Sequence, residues 1–245
     1  MSFSTNHISI FKKIIMNLKD IFTKIKIKIN NNFLELNGIS NNNDLYTKII
    51  FKKHFFNFLN NEKQMFIEID IFDLYNIIKK ITFRYDSLYI SCNDPFQLNI
   101  SAYSNNVITN NKIICIRKES SFLLKQYNIN NNNLVIRSKT IGGALEKFID
   151  IFDFIYFKII NNELIITGYN DMTEGNITLP IYKNNNMVFK KEKYNLMSLY
   201  SIIKLSYLIQ NNIIYIKLYS SKLLLIEFDL YNYSRATFVI PNIIN

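Results

Sequence analysis

An apolar stripe at helical spacing opens the chain, and its recurrence constrains the fold more than any other feature. Within residues 8–22, Phe11, Ile14, Ile15 and Leu18 follow the spacing i, i+3, i+4 and i+7, and Phe22 lies one turn further on. This pattern predicts an amphipathic helix that buries one side and exposes lysines on the other. A solvated surface helix is the ordinary interpretation of one such segment, so the argument depends on the repetition.

Three further stripes predict three further helices. Their apolar positions are Leu74, Ile77, Ile78 and Ile81, then Leu145, Phe148, Ile149 and Phe152, then Leu199, Ile202, Ile203 and Ser206. Asp70 or Asp73 is expected to cap the second helix and Asn195 the fourth, because their side chains accept hydrogen bonds from the first free backbone N–H groups.

Alternating segments between the helices predict strands. Residues 24–29 and 33–36 form one expected hairpin, and residues 155–160 and 164–167 form its counterpart. The order helix, hairpin, strands, helix, hairpin and strand occurs twice, about half a chain apart. We therefore predict an α+β fold with two similar domains, 1–117 and 134–245, each with two helices packed on antiparallel sheet. The aperiodic residues 118–133 are the expected connecting loop.

Composition narrows the class of protein. Of 245 residues, 49% are hydrophobic, which is enough for a sizeable core, and no apolar run is long enough to span a bilayer. Residues 1–7 show no signal-peptide pattern, and Cys92 and Cys115 offer no disulfide framework, so a reducing compartment is expected. The net charge of +10 favours a polyanionic partner such as nucleic acid. An AT-rich coding sequence would explain that charge equally well, so the positions of the lysines matter more than their number.

Catalytic and metal-binding patterns are missing from the sequence. His7 and His54 have no spaced serine or cysteine motif beside them, and the two histidines and two cysteines form no ligand cluster. Gly142-Gly143 is predicted to be a turn before the third helix. The carboxylates of Glu146, Asp150 and Asp153 are expected to be solvated charges. We therefore expect no enzymatic activity, no metal and no cofactor.

Four short segments carry a resemblance to a known family. They are SIFKKIIMNLKD at residues 9–20, NNFLELNGIS at 31–40, GNITLPI at 175–181 and FVIPNI at 238–243. In their order and spacing they resemble the proliferating cell nuclear antigen (PCNA) family of DNA sliding clamps, over nearly the whole chain. The resemblance implies two similar domains joined by a long loop, and three subunits that close head to tail into a ring with a basic helical inner wall.

The resemblance also implies roles for particular residues. DNA-binding residues would be Lys12, Lys13, Lys19, Lys79, Lys80, Lys147 and Lys204. A partner-binding pocket would be lined by Ile39, Leu124, Tyr127, Leu223, Phe238, Val239, Ile240 and Pro241. The ring-closing edge strands would be residues 112–117 and 176–182, with Ile114, Ile116, Ile177 and Leu179 at the subunit interface.

The function implied is a DNA polymerase processivity factor in the nucleus or a nucleus-like compartment. Its partners would be encircled double-stranded DNA, a DNA polymerase, a clamp loader, other proteins with short clamp-binding peptides, and two further copies of itself, with no membrane partner. The basic charge departs from the family, which is usually acidic. The alternatives are a subunit of a heterotrimeric checkpoint ring, a viral clamp relative used in transcription, and a basic DNA-binding protein or nuclease.

Overall fold

A computed structural model describes residues 2–40, 45–60, 65–82, 84–94, 96–105, 107–118, 134–184, 193–207, 212–219, 223–230 and 234–241. The chain divides into two compact units. Residues 1–41, 47–123 and 231–235 form the first unit, and residues 42–46, 124–230 and 236–245 form the second. In the described ranges, no helix is long and apolar enough to cross a membrane.

The described part of the first unit holds two α-helices and ten strands. In chain order these are β1 (Ser2–Thr5), α1 (Ile8–Leu18), β2 (Lys24–Ile29), β3 (Phe33–Ile39), β4 (Tyr46–Lys52), β5 (Phe58–Asn60), β6 (Met65–Asp70), α2 (Ile71–Ile78), β7 (Ser87–Asp94), β8 (Gln97–Tyr103), β9 (Ile108–Ile114) and β10 (Ile116–Lys118). One sheet has the strand order β5-β1-β7-β8-β9, and β10, β6, β2, β3 and β4 are neighbours in that order.

The second unit repeats the plan with fewer strands among the described residues. Its elements are β11 (Leu134–Arg137), α3 (Ser138–Glu146), β12 (Phe154–Ile160), β13 (Glu163–Tyr169), β14 (Glu174–Pro180), β15 (Lys183–Asn184), β16 (Tyr194–Asn195), α4 (Leu196–Ser206), β17 (Ile213–Tyr219), β18 (Leu223–Leu230) and β19 (Ser234–Pro241). One sheet has the order β14-β13-β12-β16, and β19, β18, β17, β11 and β15 are neighbours in that order.

Each unit packs its two helices against each other over a buried apolar core. Helix α1 buries Phe11, Ile14, Ile15 and Leu18, which are the residues of the predicted stripe. The caps of α2 and α4 also match the prediction. The Asp70 carboxylate accepts hydrogen bonds from Phe72 N and Asp73 N, and the Asn195 side chain accepts one from Ser198 N. The predicted α+β fold with helix pairs on antiparallel sheet is confirmed.

The third helix is the largest error of the sequence prediction. Helix α3 spans Ser138–Glu146, so Gly142 and Gly143 lie inside it and not in a turn before it. Phe148 and Phe152 follow the helix and are buried. Two glycines lower helix propensity by about 1 kcal/mol each. Tertiary packing offsets this low propensity, because Gly142 leaves room for the Tyr207 side chain.

The predicted edge strand 112–117 is divided between two sheets. Strand β9 ends at Ile114 and pairs with β8, whereas Ile116 begins β10 and pairs with Glu68 of β6. Cys115 lies between them, buried, and its backbone N–H donates to Phe96 O at 2.9 Å. The chain therefore changes sheets at this residue, and a continuous apolar pattern in the sequence conceals the change.

Candidate nucleic-acid interface and edge strands

The lysines predicted on α1 and α2 differ in how far they are committed to contacts within the protein. Lys13, Lys79 and Lys80 are exposed. Lys12 Nζ instead donates to the backbone oxygens of Lys79 at 2.7 Å and Ile81 at 3.0 Å. A lysine at these carbonyls caps the C-terminal end of α2 and complements its negative dipole end. The Lys12 ammonium group thus links the two helices and is already occupied by contacts within the protein.

Lys19 is held in place by an acid and an aromatic ring. Its Nζ lies 2.5 Å from Asp20 Oδ1 and 4.8 Å from the centroid of the Tyr75 ring. The hydrogen bond to Asp20 raises the pKa of the Lys19 ammonium. Lys79 Nζ lies 5.2 Å from the same Tyr75 centroid. Both distances are within the range of cation–π attraction.

The second unit also presents cations on its helices. Lys204 is exposed in the last turn of α4. Lys147 is exposed too, but it is the C-cap residue of α3 and does not lie on a third helix that continues to Phe152. Lys139, which is exposed near the start of α3, was not among the predicted DNA-binding residues. Placing the helix start at Ser138 would have found it.

A tyrosine and carboxylate group lies where α3 and α4 meet. The Tyr200 hydroxyl is hydrogen-bonded to Glu146, and burial is the main cause that raises the pKa of Tyr200. Burial also raises the pKa of Tyr207, with the nearby Tyr200 and Glu146 as smaller causes. Glu146 was predicted to be a solvated charge, and it is exposed as well as hydrogen-bonded to Tyr200.

Six strands end a sheet in the described residues, and two of them, β9 and β14, carry predicted interface residues. Strand β9 is the last strand of its sheet in the first unit, and β14 is the last strand of its sheet in the second. Ile114, at the end of β9, exposes 83% of its surface, the second highest value among the exposed large apolar residues. An unpaired sheet edge is a template for another chain unless it is blunted, so both edges are available for pairing.

The other predicted interface residues have different surroundings. Ile177 is half-buried on β14, opposite Ile166 of β13. Leu179 is buried, because alternation along β14 turns it toward the core with Leu164. Ile116 is exposed but belongs to β10. Of the four predicted residues, Ile114 and Ile177 are therefore the partly or fully exposed residues of the edges β9 and β14.

The predicted partner pocket is only partly described. Leu124 and Tyr127 lie outside the described residues. Phe238 and Ile240 are fully buried, and the Phe238 ring stacks on Phe228 at 5.7 Å, so these two residues belong to the core of the second unit and do not line a pocket. The reason is strand alternation in β19.

The remaining pocket residues alternate with the core positions of their strands. Val239 is buried but lies on the opposite face of β19 from Phe238 and Ile240, and Pro241 and Leu223 are half-buried.

Ile39 lies in the first unit, at a cavity of about 90 Å³ formed with Lys24, Lys26, Asn37, Gly38 and Glu68. Asn37 Oδ1 is buried without a hydrogen-bond partner, although Asn37 Nδ2 donates to Glu35 Oε1 at 2.8 Å.

Metal chemistry has no candidate site in the described ranges. They contain no group of three or more histidine, cysteine, aspartate and glutamate side chains that could hold a metal ion. Cys92 Sγ and Cys115 Sγ lie 4.0 Å apart, and both residues are buried and free of disulfides. They are packed as small apolar residues.

Comparison with known proteins places the fold. No protein-family model matches the chain, and no curated protein matches its sequence. Among solved structures, PCNA from Thermococcus kodakaraensis superposes with a TM-score of 0.83 and 15% sequence identity, covering 99% of both chains. A chain of the PCNA2–PCNA3 complex from Sulfolobus tokodaii superposes with a TM-score of 0.81 and 17% identity, again over 99% of both chains. The protein therefore has the PCNA-like sliding-clamp fold.

Proposed function

We propose that this chain is the subunit of a DNA sliding clamp, a non-enzymatic ring that encircles duplex DNA. The observation that carries the proposal is the similarity of 99% of the chain to archaeal PCNA structures. Exposed lysines on the helices and two one-sided edge strands support it. Enclosure would hold the ring on DNA, while weak and sequence-independent contacts between lysines and phosphates would let it slide.

Within the same proposal, three copies close the ring through β9 of one subunit and β14 of the next. Such an interface is heterologous, so it closes only when the rotation between subunits completes a circle. DNA polymerase, a clamp loader and other proteins with short clamp-binding peptides are the proposed partners, in a nucleus or nucleus-like compartment. Processivity of a polymerase would follow from tethering it to the ring.

The ring is tested by mass. Wild-type protein at micromolar concentration is expected to have the mass of a trimer by light scattering, and Ile114→Asp the mass of a monomer. The control is Ile151→Asp, which adds the same charge at a residue exposed by 53% in the turn after α3. A monomeric wild type, or an Ile114→Asp variant that remains trimeric, would refute the homotrimer with this edge.

The DNA contact is tested by salt dependence. Each lysine–phosphate contact contributes about 0.9 to the slope of log K against log salt. The variant with Lys13, Lys79 and Lys204 all changed to alanine should therefore lose up to about 2.7 from the slope for duplex DNA. Lys158→Ala is the control, because Lys158 is exposed on β12 and not on a helix. An unchanged slope in the triple variant would exclude these helices as the DNA surface.

A ring of different subunits is the second candidate. The observation that favours it is the similarity to a chain from the PCNA2–PCNA3 complex, which contains two different clamp proteins. This candidate predicts a monomeric wild type that gains mass only when a second clamp-like chain is added. The light-scattering experiment on the pure protein separates the two candidates.

A further inference from the structure

An aromatic and basic group of side chains lies on the helix pair of the first unit. We call Phe72, Tyr75, Lys19 and Lys79 the aromatic–lysine patch. Phe72 and Tyr75 belong to α2, with ring centroids 6.2 Å apart. The two lysines flank Tyr75, with Nζ atoms at 4.8 Å and 5.2 Å from its centroid. Phe72, Lys19 and Lys79 thus all lie within contact range of Tyr75.

Phe72 is not required by the core of its unit. The buried residues of α2 are Ile71, Leu74 and Ile78, whereas Phe72 exposes 57% of its surface. Exposed single apolar residues are common on proteins, so exposure by itself indicates no site. What distinguishes Phe72 is its neighbour Tyr75, which two ammonium groups approach.

The charges around the patch favour an anion. Lys13 is exposed on α1 and Lys80 in the turn after α2, in addition to Lys19 and Lys79, the C-cap residues of the two helices. Three carboxylates oppose them. Asp20 is paired with Lys19 at 2.5 Å, Asp70 caps α2 and accepts from Phe72 N at 2.7 Å, and Asp73 is exposed in the first turn of α2, where the helix dipole stabilises it. The cations outnumber the acids in this group.

We propose that the aromatic–lysine patch binds single-stranded DNA, with an unpaired base stacked on Phe72 and the adjoining phosphates paired with Lys19 and Lys79. Alternating cations and aromatic rings are the chemistry that single strands need, because every base has a face that can stack. Bases in a duplex are already stacked on each other, so duplex DNA can use the lysines but not the Phe72 ring. The inference rests on the proposed clamp function and adds a second form of DNA to it.

The experiment uses the full-length protein and two fluorescein-labelled probes, an oligothymidylate of about 20 nucleotides and a duplex of equal length, in fluorescence anisotropy. Stacking of one base contributes roughly a tenfold change in affinity. Phe72→Ala should therefore bind oligothymidylate about tenfold more weakly and the duplex unchanged. Met197→Ala is the matched control, since Met197 is exposed by 56% on helix α4 of the second unit, and it should change neither affinity.

A second measurement reads stacking directly. The chain contains no tryptophan, so Phe72→Trp would carry a single tryptophan at the patch. Its emission should be quenched by oligothymidylate but not by the duplex, and the emission of Met197→Trp by neither. This variant keeps an aromatic ring, so it also separates stacking from a loss of folding in Phe72→Ala.

The outcomes are distinguishable. Oligothymidylate affinity that is absent in the wild type, unchanged in Phe72→Ala, or lost together with duplex affinity would overturn the patch. A change in oligomeric mass in Phe72→Ala would overturn it too, since Phe72 would then be a protein contact. If duplex affinity still depends on the helix lysines in these cases, the clamp proposal stands. If oligothymidylate binding depends on Phe72 but the duplex does not bind, the clamp proposal fails and the patch stands.

Discussion

In both units the chain between a helix and the next hairpin packs an aromatic ring against a glycine of that hairpin. We call this contact the joint, and it is packed more tightly in the second unit. In the first unit Phe22 follows α1, Ile25 begins the buried side of β2, and Gly38 of β3 pairs with Ile25. In the second unit Phe152, Ile155 and Gly168 repeat these positions with identical spacing. A Cβ atom at Gly38 would lie 2.9 Å from the Phe22 ring, whereas one at Gly168 would lie 2.5 Å from Phe152 and 3.0 Å from Phe148.

The units also differ in how a buried glutamate is neutralised. Glu35 on β3 lies 3.2 Å from Lys48, whose side chain is 36% exposed. Glu227 on β18 pairs with Lys217, whose side chain is only 14% exposed. The two carboxylates are equally buried, so the more exposed Lys48 makes its pair more strongly screened by water than the pair of Lys217. The comparison teaches that the repeat preserves the shape of the joint, while the electrostatic environment of each unit is its own.

The helix pairs are joined by different means as well. In the first unit the Lys12 ammonium links α1 to the end of α2. In the second unit α3 and α4 approach closely where Gly142 meets Tyr207, since a Cβ atom there would lie 1.9 Å from the Tyr207 hydroxyl oxygen. The first unit joins its helices through a lysine ammonium at a helix end. The second unit joins its helices through a glycine, whose missing side chain allows close approach.

The largest expected difference concerns the buried ion pairs. Lys217→Met removes the ammonium beside a buried carboxylate and should lower the free energy of unfolding by about 3 kcal/mol. Lys48→Met, at a water-accessible pair, should lower it by less than about 1 kcal/mol. Both are measured by guanidinium unfolding. The double variant Lys217→Met with Glu227→Gln should recover most of the loss. Equal losses of unfolding free energy in Lys217→Met and Lys48→Met would contradict the expected difference between the two ion pairs.

The second prediction compares the two joints. Gly168→Ala should destabilise the protein by about 3 kcal/mol, because two packed rings must move, and Gly38→Ala by about 1 kcal/mol. Thermal and chemical unfolding report both values. Combining Gly168→Ala with Phe152→Ala removes the ring atoms that the added methyl group would meet, so the double variant should lose less stability than the sum of the two single variants. A larger loss at Gly38 than at Gly168 would refute the tighter closure of the second joint.

The smallest effect is expected in α3. Gly143→Ala should stabilise the protein by up to about 1 kcal/mol through helix propensity, because a Cβ atom there meets no other atom within 4 Å. Gly142→Ala should gain less, since the Tyr207 hydroxyl must move away. Tyr207→Ala in the Gly142→Ala background should return part of the missing gain, because it removes the ring atoms Cζ and Cε1, which would lie 2.7 Å and 2.9 Å from the added Cβ atom, together with the hydroxyl. Identical gains from the two single alanine variants would show that the Tyr207 contact has no energetic consequence.

Much of the fold could be predicted from local patterns. The stripe in α1 and the caps Asp70 and Asn195 each depend on residues within one or two turns, and the structure has them as predicted. The exposed lysines on the helices followed from the same periodicity. These features are local, so the physical signal is contained in a short window of sequence.

The candidate sites could be predicted only in part. Phe238 and Ile240 were expected beside Val239 in one pocket, but the alternation of β19 divides them between two faces. Ile114 and Ile116 were expected on one edge, but the chain changes sheets at Cys115. Phe72 gave no signal, since nothing in the stripe of α2 indicates that Tyr75 has two lysines beside it.

The sequence by itself determined the apolar faces of α1, α2 and α4, where two of these helices begin, and that the plan occurs twice. The tertiary structure decided the rest: that Gly142 and Gly143 lie within a helix, that Lys12 contacts α2, and that Gly38 and Gly168 face aromatic rings. The physical reason is the separation along the sequence over which each kind of interaction acts. Periodicity and capping arise between near neighbours in the chain, whereas these contacts join distant segments, and their packing and electrostatic energy overrides local propensity.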